Sequence, residues 1–379
     1  MGRPGEINCN ACCSAQAVAY DGSMLMPPRF LFMDVNLACN LRCAHCFFWK
    51  RDEATERYLT LPQRVELIEE YARLSPQGRL VICGGEPMLA LDTYFGVAGA
   101  ARARDLRCLS VVNGTRIRSA EMAKRMILEG PHEISISLNS HDPALHDKTR
   151  GVVGSHAKAV RALRLLIAAR DKWGTPDTKI IVMGLVFGSN HTMIEAFYDF
   201  VLNDVGADKL KLNFIQPSFG QAGEVDDFYA AEGNVDPDVL LAQLKSSDAR
   251  FGLGLSPVWM EQVGMYFRSL RAREDRGRGW GMKAGTDEHI CNSHDRNIMV
   301  DNFGMARLCF SSQFPGKVWQ KTGDLAALWT GSDDVRERMR HCNQVCGISH
   351  SVRREASTIA GNDFRLDFEK ASAQSWAPV

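Results

Sequence analysis

The sequence has no surplus of charge: lysine plus arginine and aspartate plus glutamate number 45 each, for a net charge of zero. A balanced chain has no broad electrostatic grip on nucleic acid or anionic lipid, so neither partner is expected. No uninterrupted apolar run approaches the roughly 20 residues that cross a bilayer. The opening residues, MGRPGEINCNACC, lack the apolar stretch of a secretory signal, and the chain reads as soluble and cytoplasmic. Low-complexity tracts and simple repeats are also missing. What is there is 379 residues, 45% apolar, ample for a packed core in one large domain or two smaller ones.

Cysteine is the informative residue. Twelve occur, in three groups and two singles. Cys9, Cys12 and Cys13 come first, then Cys39, Cys43 and Cys46, then Cys291, Cys309, Cys342 and Cys346. In a reducing compartment grouped cysteines point to metal or catalysis more than to disulfides. Cys83 and Cys108 sit in apolar runs and read as core thiols.

The middle of the chain alternates strand-like and helical patterns. Strand-like runs are Phe30–Asn36, Arg79–Cys83, Leu106–Val112, Glu133–Leu138, Lys179–Phe187 and Lys209–Ile215. Amphipathic stretches lie near Leu61–Leu74, Ala90–Arg104, Ser119–Glu129, Ser155–Lys172 and Met193–Leu202. Six strands with five intervening helices predict parallel βαβ units. The strands read as continuous apolar runs, as when both sheet faces are covered. Six units fall short of a closed eight-stranded barrel, so the expected fold is α/β, a partial (β/α)6 TIM-type barrel. Beyond residue 217 the pattern changes. Asp236–Ser246 and Leu325–Arg340 look helical, Glu274–Gly285 looks like a loop, and Asn297–Phe310 predicts a hairpin turning near Asn302–Gly304. That hairpin would place Cys291 and Cys309 at opposite ends of two paired strands, where they can meet.

Cys39-Asn40-Leu41-Arg42-Cys43-Ala44-His45-Cys46 spaces three thiols by three and two residues, directly after the first strand. Barrel enzymes place their chemistry at strand C-terminal ends. Three thiolates there could hold one face of a 4Fe–4S cube and leave one iron open. His45 could instead close a zinc tetrahedron, and a thiol group without metal is the third reading. On spacing alone the three stay open.

The motif, with those that follow it, resembles the radical S-adenosylmethionine (SAM) superfamily. Gly84-Gly85-Glu86-Pro87 matches the family's GGEP segment after the second strand. Asn113-Gly114-Thr115 resembles its TNG turn, with Val112 in place of threonine. Ser135-Ile136-Ser137-Leu138-Asn139, then His146-Asp147 and Arg150-Gly151, resembles the fourth-strand SLDG…HD…RG pattern, with Asn139 in place of aspartate. The likeness covers about residues 30–216 and implies a 4Fe–4S cluster on Cys39, Cys43 and Cys46. It implies SAM held near His45, Gly84, Gly85, Glu86, Pro87, Asn113, Ser137, Asn139 and Arg150, with Ser137 and Arg150 as polar contacts. Reductive cleavage of SAM would then give a 5′-deoxyadenosyl radical, fed by a flavodoxin- or ferredoxin-type electron donor.

The last cysteine group extends the likeness. Cys291 is followed by twelve residues, Gly304, four more residues and Cys309; Cys342 and Cys346 come later. This resembles the opening of a SPASM or shorter twitch domain, and four cysteines imply one auxiliary 4Fe–4S cluster in a C-terminal α+β twitch-like extension. Four cysteines on a structural zinc ion is the rival reading. The expected organisation is an N-terminal extension (1–29), the partial barrel (30–217), a connecting region (218–285), the auxiliary domain (286–350) and a tail (351–379).

Substrate-facing residues are fewer. Asn213 and Gln216, at the end of the sixth strand, are candidates for substrate hydrogen bonds, and Glu288 and His289 for acid or base. Trp259 and Trp280 could cover the pocket. Cys9, Cys12 and Cys13 read as incidental thiols. The expected function is hydrogen abstraction from a small molecule, sugar-, nucleoside- or aminocyclitol-like, in natural-product or cofactor biosynthesis. A peptide or protein maturase is the second reading, and a non-enzymatic zinc or iron–sulfur protein the third.

Overall fold

The computed structural model describes residues 18–20, 23–50, 57–216, 227–274, 289–291, 293–310, 314–340 and 351–353. A short antiparallel pair, β1 (Val18–Tyr20) and β2 (Ser23–Leu25), opens it. Six strands follow: β3 (Phe30–Asn36), β4 (Arg79–Gly84), β5 (Arg107–Val112), β6 (Glu133–Ser137), β7 (Lys179–Val186) and β8 (Lys209–Phe214). They pair in sequence order and all in parallel, as βαβ crossovers require. The helices between them are α1 (Leu61–Leu74), α2 (Leu91–Arg102), α3 (Ala120–Glu129), α4 (Pro143–Arg150), α5 (Ser155–Trp173) and α6 (Ile194–Asp199). The result is the expected partial TIM-type barrel, with strand ends within a residue or two of the sequence reading.

Local signals explain the boundaries. Thr60 and Gln63 form a reciprocal capping box at the start of α1. Asp142 caps α4, Pro143 fills its first position, and Gly151 ends it in the left-handed region at φ 68°. This eight-residue helix is absent from the periodicity reading, because two turns are too short to show a 3.6-residue pattern. α6 passes into a π-helical turn, Phe200–Val205.

The two faces of the sheet differ. Leu31, Met33, Leu80, Ile82, Ile134, Ile136, Ile180 and Val182 point to the helices and are fully buried. The Tyr94 hydroxyl of α2 lies 2.9 Å from Ser110 Oγ on this face. By strand alternation and register, the other row faces inward and carries Asp34, Arg79, Cys83, Glu133, Ser137, Lys209, Lys211 and Asn213. This corrects the expectation of strands apolar on both faces: the inward row mixes apolar residues such as Val81, Leu109 and Ile181 with polar and charged ones.

After the barrel come α7 (Asp227–Glu232), α8 (Pro237–Phe251) and α9 (Pro257–Glu274). Then β9 (His289–Cys291), β10 (Asn297–Val300), β11 (Met305–Arg307), β12 (Lys317–Val318), α10 (Asp324–Thr330), α11 (Asp333–Arg340) and β13 (Ser351–Arg353) complete the described elements. The predicted hairpin is β10–β11, turning at Asp301–Gly304, with Gly304 at φ 84°. It does not stand apart from the barrel. β10 pairs in parallel with β3, so β12, β11 and β10 extend the barrel into one nine-stranded sheet. Buried Arg64 of α1 bonds Asp34 O at 2.7 Å and Asn302 Oδ1 at 3.2 Å, tying the turn to β3. The single helix expected over Leu325–Arg340 is two, broken at Gly331–Ser332.

Candidate functional site

The cysteine loop after β3 is seated on the end of α4. Arg42 N donates to Arg150 O at 3.1 Å, and Ala44 N to Thr149 O at 3.0 Å. A Cβ on Gly151 would fall 2.3 Å from Arg42 O, so glycine serves both its own left-handed backbone and this close approach. Cys43 is buried, and Cys39 and Cys46 are half-buried beside it. Burial pushes the Cys46 thiol up to about 11, and the thiols of Cys43 and Cys39 push the same way. Burial likewise raises Cys39. As thiols these groups keep their protons, so loading a metal there releases them.

Arg150 stands against this loop. Its Nη1 lies 3.6 Å from Cys43 Sγ, and its Nη2 donates to Asn139 Oδ1 at 3.1 Å. Its Nε is buried without a hydrogen-bond partner, as is His45 Nδ1. Buried polar nitrogens without partners are rare in folded proteins, and two of them beside three thiols mark a place shaped for a further group. Burial, reinforced by Arg150, holds the His45 imidazole far below its ordinary range and therefore neutral. Ser137 ends β6, half-buried on the inward row.

The other motif residues hold the loops together. Glu86 is 1% exposed; its Oε1 accepts from Met88 N at 3.0 Å and its Oε2 from Asn113 N at 2.7 Å, joining the ends of β4 and β5. Burial pushes its carboxyl up to about 7 against those two donors. Gly84 has φ 122°, and Gly85 passes so close to Leu37 O and Ala38 O that any side chain would clash. Pro87 opens a short 3-10 turn. Asn113 Nδ2 donates to Asn40 Oδ1 at 2.9 Å, bringing the turn after β5 to the cysteine loop. Asn139 accepts from Arg150 and donates to Thr149 Oγ1 at 3.1 Å, so it orients the arginine.

These contacts suit a cluster. Among the described residues, no three His, Cys, Asp or Glu side chains stand close enough to hold a single metal ion. A four-iron cube takes its thiolates at separate corners, and three thiols with a cation alongside fit that donor set.

The remaining candidates divide. Asn213 lies half-buried on the inward row of β8, and Gln216 follows two residues after the strand. Cys108 is a core thiol with zero exposure, but Cys83 is not: it is half-buried on the inward row, 3.4 Å from Asp34 Oδ1. Alternation turns it away from the helices, a parity its apolar neighbours hid. Trp259 is buried against Phe214, 5.9 Å between ring centres, and so packs behind the sheet. Cys309 is buried just beyond β11. Cys291 belongs to β9, which pairs with β13 and not with the hairpin, because the turn at 293–296 separates β9 from β10. Ser293 Oγ donates to Leu308 O at 2.9 Å, which still brings this stretch alongside residue 308. His289 opens β9. Cys9, Cys12, Cys13, Trp280, Glu288, Cys342 and Cys346 lie outside the described residues.

Residues 34–201 match the Radical SAM superfamily. The matched segment, under half of the chain, is what this protein shares with that superfamily. It is 31% identical over 138 residues to the AdoMet-dependent heme synthase of Nitratidesulfovibrio vulgaris, covering 36% of this chain and 37% of that one. It is 34% identical over 158 residues to the mycofactocin maturase MftC of Mycobacterium ulcerans, covering 41% and 40%. The matches thus span about two fifths of these curated relatives. Among solved structures, anSMEcpe with bound AdoMet and the Cp18Cys peptide superposes with a TM-score of 0.53 at 15% identity, over 92% of this chain and 91% of that one. That likeness is one of fold. No described helix is long and apolar enough to cross a membrane.

Proposed function

We propose that this chain abstracts hydrogen from a small-molecule precursor in cofactor or natural-product biosynthesis, using a 4Fe–4S cluster on Cys39, Cys43 and Cys46 and SAM beside it. The observation that carries this reading is Arg150, wedged between Cys43 and Asn139 with a buried Nε unmatched. When bound, the cluster and SAM supply an electron and a carbon radical able to remove hydrogen from an unactivated carbon. The protein's own part is to hold and exclude. Arg150 balances thiolate charge and offers Nε to a carboxylate. Ser137 offers a hydroxyl from the same inner face. Glu86 and Asn113 keep the loops after β4 and β5 in place. The inward row, with Lys211 and Asn213, forms the wall a polar substrate meets.

The heme synthase favours a small-molecule cofactor precursor. MftC and the peptide-bound anSMEcpe favour the second reading, a peptide maturase. Cys291, Cys309, Cys342 and Cys346 would hold an auxiliary cluster that exchanges electrons with the substrate radical, and a flavodoxin- or ferredoxin-type protein would reduce the first cluster. The test is anaerobic reconstitution followed by reductant and SAM. Wild type should release 5′-deoxyadenosine, and a variant with Cys39, Cys43 and Cys46 all changed to Ala should lose about four irons and that product. Unchanged iron and product would overturn the assignment. Carboxylated tetrapyrroles, sugars, nucleosides and aminocyclitols on one side, and peptides on the other, are then compared for consumption by mass spectrometry.

A further inference from the structure

The outer surface of the barrel holds a cavity that the site above does not use. It lies between α5 and the π-helical turn after α6, with a volume of about 520 Å³. That is within the range of small-molecule sites. Val160, Leu165 and Phe200 give it apolar walls, exposed Arg161 and Arg164 stand at its rim, and His156 lines its buried side.

His156 is the unusual member. It is 7% exposed, and its ring packs 5.9 Å from Phe200 and 5.5 Å from His146. Its backbone N–H donates to Asp147 Oδ1 at 2.8 Å, which fixes the start of α5. One ring nitrogen faces the His141 backbone carbonyl, and burial keeps the imidazole below its ordinary range. The neutral ring that donates there leaves Nε2 as an acceptor. Nε2 is buried and has no partner. A buried acceptor on a histidine that lines an apolar cavity, with two guanidinium groups at the rim, gives the cavity polar groups beside its apolar walls. The π-turn that places Phe200 there is a feature found often at functional sites.

We propose that this cavity binds an amphipathic organic anion. Its flat apolar body lies against Val160, Leu165 and Phe200. An N–H or O–H donates to His156 Nε2, and a carboxylate or sulfonate meets Arg161 and Arg164.

The probe is 8-anilinonaphthalene-1-sulfonate, whose naphthalene ring, anilino N–H and sulfonate offer those three contacts. It is titrated into the reconstituted full-length protein and followed by fluorescence. Wild type should show saturable binding of one probe per chain. Ala157→Trp, on the exposed face of α5, should fill the mouth and remove that binding. Arg161→Glu with Arg164→Glu should weaken it by about tenfold or more through lost charge-assisted contacts. Both proteins should melt like wild type and still form 5′-deoxyadenosine. His156→Phe, which keeps the ring and deletes the acceptor, should also weaken binding; if it fails to fold, the other two variants decide. No saturable site in wild type, or binding undiminished in the Ala157 and arginine variants, would overturn the proposal.

Discussion

The two faces of the barrel sheet are made from the same strands and do different things. Toward the helices, Leu80, Ile134, Ile136 and Ile180 have zero exposure. Toward the interior, one residue away along the same strands, stand Arg79, Glu133, Ser137 and Lys179. The outer face is stabilised by burial of apolar side chains; the inner face sets polar and charged groups among its apolar ones. Damage to one face should therefore lower stability, and damage to the other should lower activity.

The sharpest break in that comparison comes from the loop above the inner face. Cys43→Ala should abolish 5′-deoxyadenosine formation while the urea midpoint of the metal-free protein stays close to wild type. Activity retained in Cys43→Ala would remove the cluster assignment. Next in size, Ile136→Ala on the outer face should lower stability by about 2–5 kcal/mol, through lost transfer energy and the cavity left behind. Urea denaturation measures it, and a cost near zero would mean that the helix-facing row is not the core described. Gly151→Ala should cost about 1–2 kcal/mol for its left-handed backbone, plus the displacement of Arg42 O. Its diagnostic readout is poorer iron loading on reconstitution, because the cysteine loop rests on that glycine.

A pH series separates a third group. His146 is 1% exposed, and its Nδ1 accepts from Asn139 N at 3.1 Å. Burial first, then Arg150 and His156, hold its imidazole at about 2. The folded state thus keeps it neutral, while the unfolded chain takes up a proton below about 6.5. Its contribution to stability is intact above that pH and is lost as pH falls below it, at about 1.4 kcal/mol per pH unit. His146→Asn should remove this slope relative to wild type, and parallel wild-type and variant curves between pH 7 and 5 would refute it. The smallest effect belongs to the inner face away from the loop. Asn213→Ala should change stability by less than about 0.5 kcal/mol, as for sites free of packing or network roles. It should change substrate turnover and leave substrate-free SAM cleavage unaltered, which steady-state assays with and without substrate distinguish.

Much of this was legible in the residues. The order of β3 to β8 follows from six apolar runs separated by amphipathic stretches, and the cysteine loop from spacing alone. The inner face was less legible, because Arg79, Lys209 and Lys211 sit at strand positions where short apolar stretches dominate the pattern. Cys83 shows the difficulty: Ile82 is buried and Cys83 faces Asp34, a distinction of parity that needs the register. α4 was missed as a helix although its end residue Arg150 was singled out by motif. Arg64, which joins α1, β3 and the hairpin turn, carries no sequence signal, since its partners Asp34 and Asn302 are 30 and 238 residues away.

By itself the sequence determined the local and the ordered: strand and helix alternation, the three-thiol loop and the motifs that follow it. These depend on near neighbours and on the period of side-chain direction, which a chain carries wherever it folds. Tertiary structure alone decided that β10 joins β3, that Arg150 comes to Cys43, and that His156 closes over a cavity on the outside of the barrel. Those are contacts between distant segments, made by packing geometry that residue spacing does not encode.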